Sequence, residues 1–101
     1  MLKEACVENF TNVPGVIERG AKRIELCDNL AVGGTTPSIG VIKIAAEYCS
    51  DKDASIIVIL RPRGGDFVYS AMEKAIMMRD LEEIIALQAN GIAVGALTAA
   101  N

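Results

Sequence analysis

The sequence predicts a single α/β domain over residues 1–101: a parallel βα repeat in the order β-α-β-α-β-α-β, whose polar strand faces favour the interior of a barrel over an open sheet. Short apolar or β-branched runs alternate with longer helix-periodic stretches along all 101 residues. Strands joined through helices pair in parallel, with right-handed crossovers. Charged residues also share one parity on several strands. An open parallel sheet covered by helices on both faces is apolar on both, whereas a barrel keeps its helices outside and tolerates polar side chains within.

Taken in order, Leu2 to Val7 is read as the first strand. Asn12 is the N-cap of the first helix, which puts Pro14 in the first turn, where its missing N–H is harmless. That helix ends near Arg19-Gly20, with Gly20 suited to a C-terminal cap. Arg23 to Leu26 is the second strand. Thr36 as cap and Pro37 at the first helical position open the second helix, which runs to about Tyr48. The third strand, Ser55 to Leu60, has the β-branched centre Ile56-Ile57-Val58-Ile59. Ser70-Ala71-Met72-Glu73 is a capping box, and Met72, Ile76, Leu81, Ile84, Ile85 and Leu87 form the apolar stripe of the helix it starts. Asn90-Gly91 ends that helix, and Ile92 to Leu97 is the fourth strand. By parity Glu4, Cys6, Arg23, Glu25, Cys27, Ile57, Ile59 and Arg61 face inward.

Composition narrows the function. With 51% hydrophobic and 23% charged residues the chain folds rather than staying disordered. No apolar stretch approaches the ~20 residues of a membrane span. Met1-Leu2-Lys3-Glu4-Ala5 lacks the positive flank and apolar run of a signal peptide, so a cytoplasmic protein is expected. A net charge of −3 without a Lys/Arg cluster argues against a nucleic-acid partner. The chain has no histidine, which excludes imidazole as base or ligand. Its three cysteines, Cys6, Cys27 and Cys49, are an odd number and point to reduced thiols.

Two constellations offer chemistry. Glu4, Arg23, Glu25 and Arg61 share the inward face, either for acid–base work, with Glu4, Glu25 and Arg61 as catalytic candidates, or as a buried ionic network. The loop Arg61-Pro62-Arg63-Gly64-Gly65-Asp66 follows the third strand at the end where barrels place their sites. With Arg23 it suits a small anion, a carboxylate or phosphate. Alternatively, Asp66 pairs with an arginine and the glycines serve the turn.

The runs Glu4-Ala5-Cys6-Val7, Ala21-Lys22-Arg23-Ile24-Glu25-Leu26-Cys27, Gly33-Gly34-Thr35-Thr36-Pro37-Ser38-Ile39-Gly40, Arg61-Pro62-Arg63-Gly64-Gly65-Asp66-Phe67-Val68-Tyr69-Ser70 and Gly95-Ala96-Leu97-Thr98 resemble, in order and spacing, the CutC copper homeostasis family. The chain departs from the family pattern at Lys3, at Pro14-Gly15 and in the tail Thr98 to Asn101. The resemblance implies a (β/α)8 barrel twice this length, with this chain as its N-terminal half, and copper as the bound metal. It implies Cys6 and Cys27 as the ligands. Thiolates are soft and select Cu(I), and the two cysteines fall on one face of adjacent strands. Cys49, on the second helix, is read as a packed side chain. Three functions follow: Cu(I) handling through Cys6 and Cys27, an enzyme acting on a small anion, or a half-barrel without independent activity. Four strands also leave two open edges, and Gly91 to Leu97 lacks the proline or lysine that blunts such an edge. Self-association as a dimer is therefore expected.

Overall fold

The computed structural model describes residues 3–97. The elements run β1 (Glu4–Glu8), α1 (Val13–Glu18), β2 (Arg23–Cys27), a 3-10 turn (Leu30–Val32), α2 (Ile39–Asp51), β3 (Ser55–Ile59), α3 (Ala71–Ala86) and β4 (Gly91–Ala93). All four strands pair in parallel in the order β1-β2-β3-β4. The predicted element order and α/β class are therefore observed. Leu2, read as the first residue of the first strand, and the tail from Thr98 lie outside the described residues.

The alternation of each strand separates two faces. Val7, Ile24, Leu26, Ile56 and Val58 are buried on one face, in a core with Val13, Ile42, Ala45, Cys49, Met77 and Ile84 from the three helices. The other face carries Cys6, Glu25, Cys27, Ile57 and Ile59, and only Cys27 among them is buried. Helices thus cover one side of the sheet, as on the outside of a barrel. Among the described residues β1 and β4 each have a single neighbouring strand.

Two boundaries and the buried face of α3 differ from expectation. The second helix is capped by Ser38, whose hydroxyl accepts from the Val41 N–H at 3.2 Å. Thr36 is engaged elsewhere: its Oγ1 accepts from the Arg61 N–H at 2.9 Å and donates to the Arg61 carbonyl at 3.2 Å. The fourth strand stops at Ala93, because its partner β3 ends at Ile59 and the chain beyond Leu60 turns into the Arg61 loop. Leu97 leaves the ladder and donates its N–H to the Phe67 carbonyl. On α3 the buried positions are Met77 and Ile84, with Leu81 partly buried between them. That spacing forms one stripe. Met72 and Ile85, placed in the predicted stripe, point away at 70% and 65% exposure.

The capping box is present in full: Ser70 Oγ accepts from the Glu73 N–H at 3.1 Å, and Glu73 Oε1 accepts from the Ser70 N–H at 2.9 Å. Glu73 also pairs with Arg63, so one carboxylate joins the loop after β3 to the start of α3. The Arg63 guanidinium, aided by the Ser70 N–H, holds the Glu73 carboxyl at about 2, well below its ordinary 4.5. A depressed folded-state value stabilises the native chain above the unfolded value, and that contribution disappears as pH falls from 4.5 toward 2. Thermal melts across this window are expected to show a steep acid loss in the parent and a flatter one in Glu73→Gln. Equal acid slopes would remove the pair from the account.

Candidate metal centre

The register of β1 and β2 builds the site. Cys6 lies directly opposite Glu25, and Glu8 opposite Cys27. Residues two apart share a face, so Cys27 stands diagonally across from Cys6 with Glu25 beside both. The two Sγ atoms are 3.8 Å apart. Ligand atoms of Cys6, Glu25 and Cys27 all lie within 4.8 Å of one another. Cys6 is exposed, Glu25 half-buried and Cys27 buried, which leaves the cluster open on the Cys6 side.

Burial pushes the Cys27 thiol up to about 12. The neighbouring Cys6 and the Glu25 and Glu8 carboxylates push in the same direction. Cys27 is therefore a protonated thiol at neutral pH, and a bound cation would have to displace its proton. Burial alone raises the Cys49 thiol, and Cys49 sits in the apolar core, as expected from the sequence.

A loop absent from the sequence reading of the thiols forms one wall of the site. Gly34 adopts φ +95°, and a Cβ there would lie 3.4 Å from Cys27 Sγ and 3.2 Å from Ile59 Cδ1. Only a glycine combines that left-handed backbone with that approach. Arg61 holds this wall in place. At 7% exposure, its guanidinium donates to the carbonyls of Val32 (2.6 Å), Gly34 (3.0 Å) and Gly65 (2.8 Å), and its Cζ lies 4.8 Å from the Phe67 ring centre.

The other predicted residues are distributed differently from the sequence reading. Glu4 and Arg23 pair with each other, Arg23 Nε donating to Glu4 Oε2 at 2.6 Å, at the start of β1 and β2. Arg23 is in register with Ser55. Arg61 is six residues further along, about 20 Å at the ~3.3 Å rise of a parallel strand. The structure therefore does not bring Glu4 and Arg23 together with Arg61, and Glu25 joins the cysteines instead. Arg63 is also engaged by the chain. It binds Glu73, Asp66 Oδ1 at 3.3 Å, and the carbonyls of Gly64, Asp66 and Val68. Gly64 and Gly65 thus present carbonyls to the two arginines, and Asp66 pairs with Arg63, the turn-building alternative. Glu73, read from sequence only as a capping residue, is the partner of Arg63 that the sequence reading missed. Its distance of ten residues from Arg63 gave no local signal.

A parallel βα-repeat sheet with helices on one side and a thiol–carboxylate cluster toward the C-terminal strand ends defines part of a (β/α) barrel with a candidate metal centre. Comparison with known proteins gives the family. The sequence model of the CutC family matches residues 1–101, and the chain belongs to that family. It is 54% identical over 98 residues to a CutC family protein of Enterococcus faecalis, covering 97% of this chain and 47% of that one. A relative from Streptococcus pyogenes is 46% identical over 101 residues, covering 100% and 48%. A crystal structure of CutC from Streptococcus agalactiae superposes with a TM-score of 0.93 at 46% identity, over 98% of this chain and 47% of that one. The chain spans about half the length of these relatives.

Because Arg61 serves three separate carbonyls, its role needs the guanidinium fork rather than a point charge. Arg61→Lys is expected to destabilise the fold by about 2 kcal/mol, lowering the melting temperature by about 10 °C in a chain of this size. An unchanged melting curve would show that the three carbonyls do not depend on it.

Proposed function

We propose that this chain acts in copper homeostasis as a cytosolic protein that binds Cu(I) between the thiolates of Cys6 and Cys27. The observation that carries this reading is the 3.8 Å separation of the two sulfurs on one face of neighbouring strands, one buried and one exposed. Soft thiolates suit a soft monovalent ion, and the exposed Cys6 gives it a way in. Copper is the cargo of this site. Membership in the CutC family supports the same reading. Free cysteines fit a reducing compartment, and among the described residues no helix is long and apolar enough to cross a membrane. An enzyme for a small anion would require Arg61 and Arg63 to receive it, yet both guanidiniums are bound to acceptors of the chain itself.

Cu(I) titration of reduced protein against a chelator tests this. Cys6→Ser and Cys27→Ser are each expected to remove most of the affinity, and Cys49→Ser to leave it unchanged. Because Cys27 keeps its proton up to about 12, its ligation releases one proton, and this thiol alone makes the affinity rise about tenfold per pH unit through neutrality. A double Cys6→Ser/Cys27→Ser variant that binds as tightly as the parent would refute the assignment.

The same open geometry supports self-association. We propose that a second copy covers the half-buried inner face and the β1 and β4 edges, in a two-fold arrangement that closes a barrel-like layer. Sedimentation at micromolar concentration is expected to give a dimer or larger species. A cooperatively folding species of 10.7 kDa would rule the dimer out.

A further inference from the structure

We infer that Glu25 is the third ligand of the thiol site, and that the Cys6–Glu25–Cys27 cluster takes Zn(II) as well as Cu(I), with Glu25 deciding between them. The inference rests on the proposed reading of Cys6 and Cys27 as a metal site and adds its geometry and selectivity. A metal–sulfur bond of about 2.3 Å separates two sulfurs by about 4.6 Å in linear coordination and by about 3.8 Å at a tetrahedral angle. The sulfurs here stand 3.8 Å apart. That spacing matches a bent pair rather than a linear one, and a bent pair leaves room for further ligands on its open side.

The strand register supplies one of them. Glu25 is directly opposite Cys6 and two residues before Cys27, and its carboxylate lies within 4.8 Å of both sulfurs. Its other strand neighbour is Ile57, which offers no hydrogen bond. Its carboxylate makes no side-chain ion pair among the described residues, whereas Glu4 and Glu73 do. Glu8, on the same face opposite Cys27, accepts from the Leu30 N–H at 3.0 Å, which leaves Glu25 as the carboxylate grouped with the two thiols. Two thiolates, one carboxylate and an open position on the Cys6 side form the three-ligand site with a vacant fourth corner that Zn(II) accepts.

Charge separates the two metals. Three anionic ligands around a divalent ion leave a net charge of −1, the same as two thiolates around Cu(I). Adding the carboxylate to Cu(I) would leave −2 in a half-buried site. Cu(I) is satisfied by the thiolates, with Cys6 turning outward to widen the pair, and the carboxylate contributes to the divalent ion alone.

Anaerobic titration of the reduced full chain with Co(II), a visible stand-in for Zn(II), tests this, followed by displacement with Zn(II) and a parallel Cu(I) titration. The expected result is one Co(II) per chain, with thiolate charge-transfer absorption and the intense visible bands of tetrahedral coordination, bleached by Zn(II). Glu25→Gln is expected to weaken Co(II) and Zn(II) at least about tenfold and to shift Cu(I) affinity by much less, with apo-protein circular dichroism confirming the fold. If that variant does not fold, the parent's Co(II) spectrum decides. Tetrahedral bands with two thiolates support the site, and pale octahedral bands or no binding overturn it. Cu(I) binding without Co(II) or Zn(II) would overturn this inference and leave the copper reading standing. Binding of no metal would overturn both.

Discussion

At the C-terminal end of β3 the buried Arg61 guanidinium gathers the carbonyls of Val32, Gly34 and Gly65 from two separate loops. Its backbone is bound reciprocally by Thr36 just before α2. Buried carbonyls need partners, and charge-assisted donors are the strongest available. One side chain thereby fixes the loop after β2 and the loop after β3 to each other. Gly34, which walls Cys27, takes its position from this clamp, and so does the approach to the cap of α2.

Arg63 extends the arrangement in the other direction. By pairing with Glu73 it fastens the same loop to the first turn of α3, where the carboxylate also completes the capping box. Arg61 and Arg63 thus divide the labour within one short motif, one reaching back to the loop after β2 and the other forward to the next helix. The motif that looks from sequence like an anion clamp is occupied by the protein's own carbonyls and carboxylates.

The thiol cluster sits where this framework meets the uncovered side of the sheet. Its buried member is shielded by Gly34 and by the end of β2, and its exposed member stands on the edge strand. Burial keeps Cys27 protonated, so the cluster carries less negative charge than its three acidic groups suggest, and a cation in the proposed site would have to displace that proton.

Much of this was legible in the amino-acid order. Period-two and period-3.6 patterning gave the four strands and three helices, the Ser70–Glu73 spacing gave the cap of α3, and parity gave the shared face of Cys6, Glu25 and Cys27. These are local properties, written within a few residues of where they act. What the sequence could not determine is which distant groups meet. Thr36 looked like a helix cap and became a partner of Arg61. Arg63, in a loop read as an anion site or as a turn paired to Asp66, found Glu73. Glu25 looked like a catalytic companion of Arg61, but the β1–β2 register set it opposite Cys6. Helix and strand periodicity follow from backbone sterics and the burial of one face, so the sequence by itself determined the elements and their faces. Register, loop packing and the pairing of charges depend on contacts between segments, and only the tertiary structure decided them.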